Sequence, residues 1–254
     1  MFEKSDRIGG QFNLAFKIPG KEDYAETIGF YSNRLAELGV EVRLNTPAEG
    51  QNLAAGSYDR IILASGVEPR TLASIDPRDP RVMTYAEAIE APELVGETVA
   101  VLGAGGIGFD VAQLLAHPTG ACDPSAPDIE QFCRDWGIDT SLSERGALQP
   151  APGRWPTPRK VSLYQRKPDS AFGAGLSKTR GWANVQEVVR RGVSMTGDVV
   201  YGRLAPEGLH VTVGGVPRLI VADTFVLCVG QESQATVAAL LVESRVPLLK
   251  VGGA

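Results

Sequence analysis

Cysteine and histidine are scarce in this chain of 254 residues. There are three cysteines and two histidines, and their spacing is typical of neither a disulfide framework nor a zinc site. We therefore predict no metal site. No Ser-His-Asp, Cys-His or paired-carboxylate arrangement is evident either. The sequence predicts no catalytic acid, base or nucleophile in this chain.

An excess of positive charge and long apolar runs are lacking as well. The formal net charge is -5 and the pI is about 5.2, which gives no electrostatic reason to bind nucleic acid. No apolar run approaches the roughly 18 to 20 residues of a membrane span. The N-terminus MFEKSDRIGG is neither a signal peptide nor a transit peptide. We expect a cytoplasmic protein with no nucleic-acid and no membrane partner.

Glycine is abundant, and the apolar segments alternate as in an α/β fold. Many of the 29 glycines directly follow β-branched runs, where the ends of parallel strands need tight turns. Residues 25–40 have helical spacing and stop at Gly39. VEVRLNT (40–46) favours a strand, and YDRIILASG (58–66) favours a buried parallel strand.

The strongest motif is a glycine turn between an apolar strand (99–102) and a helix (about 108–116). It has the form G-x-G-x-x-G. Its first glycine permits a tight turn, the second lets backbone approach a pyrophosphate, and the third lets the helix pack closely on the strand. The helix N-terminus then offers N–H groups to phosphate. We predict a dinucleotide site here, the alternative being a turn kept only for packing. The predicted cofactor-binding residues are Gly103, Ala104, Gly105, Gly106, Ile107 and Gly108.

The end of the next strand, KVSLYQRK (160–167), indicates which dinucleotide binds. An NAD site places Asp or Glu there for the ribose hydroxyls, whereas a 2′-phosphate requires cations. This chain has Gln165, Arg166 and Lys167, with no carboxylate before Asp169. Arg166 can hold a phosphate in its fork and Lys167 can add a point charge. We predict NADPH rather than NADH, the alternative being an exposed basic turn without a ligand.

Two further segments are typical of flavoproteins with two dinucleotide domains. FEKSDRIGGQF (2–12) offers a glutamate as ribose acceptor and a Gly-Gly-Gln loop near the flavin, although a solvated carboxylate and a flexible loop are the alternative. IILASG (61–66) is similar to the strand that closes on Ala-Thr-Gly in such proteins, and VLCVGQE (226–232) repeats that device. Together they predict an FAD site. The predicted FAD-binding residues are Glu3, Gly10, Gln11, Ala64, Ser65 and Gly66.

The remaining segments complete the domain assignment. Residues 118–159 form a polar, proline-rich insert with one helix at 129–136, and LHVTV and RLIVA form a hairpin around Gly214 and Gly215. GAGLSKTRGW (173–182) leads into a helix and contacts either cofactor phosphate or solvent.

We predict an α/β fold of two nested Rossmann-like domains of the FAD/NAD(P) disulfide-reductase type, the first incomplete at both chain ends. The FAD-binding domain is expected at 1–95 and 231–254, and the NADPH-binding domain at 96–230.

Seven segments, in the order in which they occur, resemble the C-terminal half of the bacterial NADPH-dependent 2,4-dienoyl-CoA reductases. They are IGGQFNLAFKIPGKEDY, IILASGVEPR, VAVLGAGGIGFDVAQLLA, FCRDWGID, LYQRK, GAGLSKTRGW and VLCVGQE. The resemblance covers essentially the whole chain. It is more specific than the glycine motif, because FCRDWGID and QRK are not general Rossmann features.

This resemblance implies an electron-input function. In that family an N-terminal half similar to old yellow enzyme, a (β/α)8 barrel holding FMN, and a four-iron, four-sulfur cluster precede the FAD and NADPH domains. NADPH reduces FAD, electrons pass singly through the cluster to FMN, and FMN reduces the dienoyl-CoA. The barrel, the cluster cysteines and the first FAD glycine motif are absent from this sequence. We therefore expect the chain to depend on that half as a partner and not to reduce acyl-CoA alone.

Two other functions fit the same sequence. In relatives of this family such as trimethylamine dehydrogenase, the corresponding domain pair binds ADP and takes no electrons from nicotinamide. The basic turn argues against this function, because ADP carries no 2′-phosphate. A non-enzymatic nucleotide-binding module is the third possibility.

Overall fold

The computed structural model describes residues 1–48, 58–117, 129–149, 155, 157–234 and 246–253. Contacts divide the chain into a first unit, Met1–Arg70 with Gly230–Ala254, and a second unit, Thr71–Val229. The α-helices in the described ranges are α1 Phe12–Ala15, α2 Tyr24–Glu37, α3 Tyr85–Glu90, α4 Gly106–Ala116, α5 Ile129–Trp136 and α6 Gly181–Arg190. The strands are β1 Ile61–Leu63, β2 Val67–Pro69, β3 Val82–Thr84, β4 Thr98–Leu102, β5 Lys160–Tyr164, β6 Ser194–Thr196, β7 Val199–Ala205, β8 Gly208–Val213, β9 Val216–Ile220, β10 Thr224–Leu227, β11 Gln231–Ser233 and β12 Leu248–Lys250.

The second unit is built on a five-stranded parallel sheet in the order β3-β10-β4-β5-β6. The two central strands are mostly apolar and almost wholly buried because both faces of the sheet are covered; all four residues of β10 and the last four of β4 are buried. Helix α4 contacts both β4 and β5 and packs against α6. The parallel order places the carboxyl ends of β4, β5 and β10 at one edge.

A second, antiparallel sheet of three strands, β7-β8-β9, lies against the parallel sheet. The core between them contains Ala100 and Leu102 of β4 with Phe225 and Leu227 of β10. Because side chains alternate along a strand, Val99 and Val101 face the opposite side of the sheet. From the antiparallel sheet come Val199, Leu209, Val211 and Ile220. The predicted hairpin is therefore confirmed, with Gly214 and Gly215 both at positive φ in its turn, and β7 adds a strand that we did not predict.

The first unit is discontinuous in sequence. Strand β1 pairs in parallel with β12, and β2 pairs antiparallel with β11. The predicted helix at 25–40 is confirmed as α2, with Gly39 at φ +64 behind its end. The strand predicted at 40–46 is wrong: the structure has only a bridge between Phe2 and Arg43. Among the described residues this segment pairs with no strand, so the bridge does not extend into a ladder.

The strand predicted at 58–66 is shorter and less buried than expected. It spans Ile61–Leu63, and Ile62 is 66% exposed. Strand β1 belongs to a sheet of only two strands in the described part of the chain, so one face of it stays open. Our expectation of a strand buried on both faces is corrected accordingly.

The boundary between the two units differs from the boundary that we predicted. The units divide at Arg70 and Thr71 rather than near residue 95. The cause is the pairing of β3 with β10, which joins residues 82–84 to the second unit. Helix α3 follows at once and begins with a capping box, in which Thr84 and Glu87 bond each other's backbone N–H.

The insert is described in part. Its predicted helix at 129–136 is confirmed as α5, whereas residues 118–128 lie outside the described ranges. Trp136 of α5 packs edge-on against Trp155, and Arg190 of α6 lies over both rings. The insert is thus attached to α6. Among the helices of the described residues, none has the length and apolar character of a membrane span.

Candidate functional site

The glycine turn after β4 is shaped by two very close approaches of backbone. Gly103 has φ +111, and a Cβ there would lie 2.2 Å from the carbonyl oxygen of Cys228. A Cβ on Gly108 would lie 1.8 Å from the carbonyl oxygen of Gly103. No real side chain tolerates these distances. The first and last glycines therefore have the structural tasks that we predicted for them, which are the tight turn and the close helix.

The middle of the same turn is open. Helix α4 begins at Gly106 with Gly105 as its N-cap, and apart from the adjoining backbone no atom of the described residues lies within 4 Å of a Cβ built on either residue. Ala104 and Ile107 are half-buried beside them. The first N–H groups of a helix have no partner within the helix, and the helix dipole is positive there. The first turn of α4 also contains no acidic residue. These features fit a pyrophosphate.

The turn after β5 presents two cations. Strand β5 ends at Tyr164, and Arg166 and Lys167 are both exposed directly after it. Neither side chain forms an ion pair with any residue that the structure describes. Because β5 pairs in parallel with β4, this turn and the glycine turn lie at the same edge of the sheet. We call residues 165–168 the basic turn.

The neighbouring polar groups are already engaged in holding the basic turn. Gln165 is only 6% exposed, and its Nε2 donates to the Pro168 carbonyl oxygen at 2.7 Å. The Oδ1 of Asp169 accepts from the Gly197 N–H at 2.5 Å. The residue in place of the usual ribose-binding carboxylate is thus a buried amide, and the nearest carboxylate is bound to backbone. The accessible charge of the basic turn is positive.

Cys228 lies at the end of β10, against the glycine turn. Its thiol is fully buried, and burial, together with the nearby Asp110, raises its pKa far above the ordinary value. A thiol held in this way is not a nucleophile. The position is therefore part of the turn's packing.

In the first unit the structure brings two of the predicted FAD segments together. Gln11 Nε2 donates to the carbonyl oxygen of Val67 at 3.3 Å, directly after Gly66. The hydroxyl of Ser65 donates to the carbonyl oxygen of Gln234 at 2.6 Å. Gly10 and Gly66 have positive φ and open space at their Cβ positions. Ala64 joins this loop to β1. These two loops fit a ligand that lies along backbone.

Glu3 lies on the segment bridged to Arg43, where its N–H donates to the Arg43 carbonyl oxygen at 2.9 Å. Its carboxylate accepts from the Ser5 N–H at 2.8 Å. The adjacent Lys4 lies 3.9 Å from Glu68 of β2. The segment that contains Glu3 thus lies near β2. The carboxylate of Glu3 can accept further hydrogen bonds, as ribose hydroxyls would require.

Sequence patterns missed residues that brace the basic turn. A Cβ on Gly197 would lie 2.5 Å from the backbone nitrogen of Asp169, so this loop needs glycine there. The next residue, Asp198, has φ +53, and its N–H donates to the Lys167 carbonyl oxygen at 2.9 Å. The Gly-Asp pair between two strand-like segments was the available signal, because such pairs are typical of tight turns.

Comparison with known proteins identifies oxidoreductases. No model of a protein family matches the chain. A metal reductase of Desulforamulus reducens (strain ATCC BAA-1160 / DSM 100696 / MI-1) is 24% identical over 238 residues, which is 92% of this chain and 34% of that protein. An NADH oxidase of Thermoanaerobacter brockii is 31% identical over 121 residues, or 46% of this chain and 19% of that protein.

Solved structures show the fold. A 2-naphthoyl-CoA reductase in complex with 2-naphthoyl-CoA superposes with a TM-score of 0.75 at 20% identity, over 99% of this chain and 32% of that one. A histamine dehydrogenase from Rhizobium sp. 4-9 superposes with a TM-score of 0.68 at 13% identity, over 99% of this chain and 36% of that one. A thioredoxin reductase of T. acidophilum superposes with a TM-score of 0.57 at 12% identity, over 93% of this chain and 70% of that one. The predicted fold class is confirmed: the chain has the α/β fold of the FAD/NAD(P) disulfide-reductase type. It spans about a third of the length of the metal reductase and of the 2-naphthoyl-CoA reductase.

Proposed function

We propose that this chain is the part of a flavin-dependent oxidoreductase that receives electrons from NADPH. NADPH binds to the second unit and FAD to the first, and the electrons pass to an acceptor site in a longer protein. One observation carries the proposal. The open glycine turn at the N-terminus of α4 and a turn with two cations that form no ion pair within the described ranges follow adjacent parallel strands, which is the arrangement that a 2′-phosphorylated dinucleotide requires.

Each residue of the second unit then has a defined task. Gly103 and Gly108 close the turn, and Gly105 and Gly106 leave room for the pyrophosphate beside the helix N–H groups. Arg166 binds the 2′-phosphate with two parallel hydrogen bonds, and Lys167 adds a second positive charge. Gln165 keeps the turn in shape through Pro168. No side chain of this unit is required to transfer a proton.

The first unit supplies two glycine-bearing loops and one carboxylate. Gly10 and Gly66 would let the two loops approach FAD closely, and Gln11 links the loops through the Val67 carbonyl. Glu3 accepts hydrogen bonds from the ribose hydroxyls. FAD, when bound, accepts a hydride and passes electrons on.

We further propose that the final acceptor is an unsaturated acyl-CoA, as in the 2,4-dienoyl-CoA reductases. The seven sequence segments support this, and so does the similarity to a reductase that is named for 2-naphthoyl-CoA. The FMN barrel and the iron–sulfur cluster would belong to the remaining two thirds of a protein as long as the metal reductase. The residues of this chain contribute to the reduction of FAD. The reduction of the acyl-CoA takes place elsewhere in the longer protein.

Titration of the purified chain with NADPH, NADH and ADP tests the cofactor. We expect NADPH to bind more tightly than NADH, and Arg166→Ala combined with Lys167→Ala to lower NADPH affinity about 10- to 100-fold, since charge-assisted hydrogen bonds are lost. NADH affinity should stay nearly constant. The control is Arg203→Ala with Arg218→Ala, which removes two other exposed cations of the same unit. An unchanged preference in the Arg166 and Lys167 variant contradicts the 2′-phosphate assignment.

The same titration separates the two alternatives. A domain pair that binds ADP without nicotinamide chemistry would bind ADP and NADPH with equal affinity, and NADPH would not bleach the spectrum of the flavin in the full-length protein. A non-enzymatic nucleotide-binding module would bind nucleotide in the purified chain, but neither NADPH nor NADH would reduce a flavin in the full-length protein. The exposed cations of the basic turn favour NADPH over both alternatives.

A further inference from the structure

Tyr201 of β7 joins the two turns of the dinucleotide site. Its hydroxyl donates to the carbonyl oxygen of Tyr164 at 2.9 Å. The same oxygen accepts from the Gly103 N–H at 2.8 Å. Gly103 opens the glycine turn, and Tyr164 is the last strand residue before the basic turn. One carbonyl oxygen therefore receives a hydrogen bond from the glycine turn and one from Tyr201.

A β-bulge directly behind Tyr201 sets its direction. The register of β7 against β8 shifts between Tyr201 and Leu204. A Cβ on Gly202 would lie 2.7 Å from the carbonyl oxygen of His210, so the two strands can approach here only because residue 202 is glycine. A bulge of this kind redirects the neighbouring side chain.

The segment that leads into β7 also holds the basic turn. The Lys167 carbonyl oxygen accepts from the Asp198 N–H at 2.9 Å, and the Gln165 carbonyl oxygen accepts from the Val199 N–H at 3.0 Å. Burial raises the pKa of Tyr201 well above its ordinary value, partly offset by the positive charge of Arg166. The phenol therefore remains a hydrogen-bond donor throughout the neutral pH range.

We propose that Tyr201 is a positioning residue that fixes the basic turn relative to the glycine turn and thereby contributes to the preference for NADPH over NADH. This inference rests on the proposed function of the two turns. The pyrophosphate and the 2′-phosphate of NADPH belong to one ligand, so both are bound well only when the two turns keep their separation. NADH has no group for Arg166, and its affinity depends on the glycine turn alone. Loss of the Tyr201 hydroxyl should therefore affect NADPH more than NADH.

The test is Tyr201→Phe, which keeps the ring and removes the hydroxyl. We expect NADPH affinity to fall about 2- to 10-fold, the size expected for one net hydrogen bond, with little change for NADH. The matched control is Tyr85→Phe, which alters another buried tyrosine of the same unit and should leave the preference unchanged. In a background of Arg166→Ala the effect of Tyr201→Phe on NADPH should disappear, because the turn that it positions no longer binds phosphate.

Three results would overturn the inference. They are an equal loss of NADPH and NADH affinity, a lower Tm with an unchanged preference, and an undiminished effect of Tyr201→Phe in the Arg166→Ala background. Each would mean that Tyr201 only stabilises the fold. Failure of the unsubstituted chain to bind either dinucleotide would instead refute the proposed function itself, and this inference with it.

Discussion

The carbonyl oxygen of Gly103 lies 1.8 Å from the point that a Cβ at Gly108 would occupy. The start of helix α4 is therefore in direct contact with the turn that precedes it. Gly105, between the two, has open space at its own Cβ position: beyond the adjoining residues, no atom in the described part of the chain lies within 4 Å. Two glycines of the motif are thus required by the fold, and under the proposed function the third leaves room for the ligand.

We expect Gly108→Ala and Gly105→Ala to have opposite phenotypes. Gly108→Ala should lower the free energy of unfolding by about 1 to 3 kcal/mol or more, because the helix must move away from the strand. Gly105→Ala should keep the fold, since its φ of -79 suits alanine, but weaken both dinucleotides at least about tenfold. Urea unfolding and dinucleotide titration of both variants measure this. Equal stability of the two would show that the predicted contact is absent.

Gln165→Glu should destabilise the second unit instead of changing its dinucleotide preference from NADPH to NADH. The buried amide donates to Pro168, and a carboxylate in its place would face a carbonyl oxygen. We expect a loss of about 1 to 3 kcal/mol in the free energy of unfolding at neutral pH. The exposed Gln149→Glu is the control for added charge. An equally stable variant that prefers NADH would show that residue 165 faces the ribose.

Glu187 gives the stability of the second unit a definite pH dependence. It accepts from Gln113 at 2.7 Å and lies 3.7 Å from Arg191, yet burial raises its pKa above the ordinary 4.5, with Arg191 and Gln113 opposing the rise. A raised folded-state pKa means that the protonated form stabilises the fold, fully below the unfolded-state pKa, and that this contribution is lost as the pH rises through the folded-state pKa.

Glu187→Gln should remove this dependence. The stability of the unsubstituted chain relative to Glu187→Gln should therefore be greater at about pH 4 than at about pH 7. Urea unfolding at both pH values measures the difference, with the exposed Glu93→Gln as the control for loss of a charge. If the unsubstituted chain were no more stable relative to Glu187→Gln at pH 4 than at pH 7, the attraction of Arg191 would outweigh the effect of burial on the pKa of Glu187.

Asp139 should hold the loop behind α5 over a wide pH range. Its buried carboxylate accepts from the Ser141 hydroxyl at 2.5 Å and from the Glu144 N–H at 2.7 Å, and these hydrogen bonds, with that of Ser143, hold its pKa far below the ordinary range. A lowered folded-state pKa stabilises the fold above the unfolded-state pKa, and this is lost only as the pH falls through the folded-state pKa.

Asp139→Asn should therefore speed amide exchange at Ser141 and Glu144 relative to the unsubstituted chain, by the same factor at neutral pH and at about pH 5. NADPH binding should be unaffected, because the loop is distant in sequence from both turns. Ser143→Ala, which removes one of the hydrogen bonds, should have a smaller effect. Unchanged exchange in Asp139→Asn would show that other contacts hold the loop.

The features that sequence predicted correctly are those with a local cause. Helix α5 was predicted around its observed bounds, and its apolar residues do recur at helical spacing. The glycine turn was predicted because the close approaches at Gly103 and Gly108 exclude every other residue. In both cases a few consecutive positions contain the whole requirement.

The features that sequence missed depend on distant partners. Segment 40–46 has strand-like composition, but a ladder needs a continuous partner strand, and within the described ranges the segment forms a single bridge, from Arg43 to Phe2. Whether Ile62 is buried depends on what covers β1, which its own residues do not encode. Tyr201 was not singled out, since its hydrogen bond to Tyr164 spans 37 residues and arises only when two sheets pack.

The nested arrangement of the two units has a consequence for biosynthesis. The Arg70 N–H donates to the Gly230 carbonyl oxygen at 3.0 Å, so the chain leaves the first unit and returns to it at adjacent points. Strands β11 and β12, which pair with β2 and β1, are synthesised after the whole second unit. Because domains fold as units during translation, the second unit can fold before β11 and β12 have left the ribosome, and the first unit can be completed only afterwards.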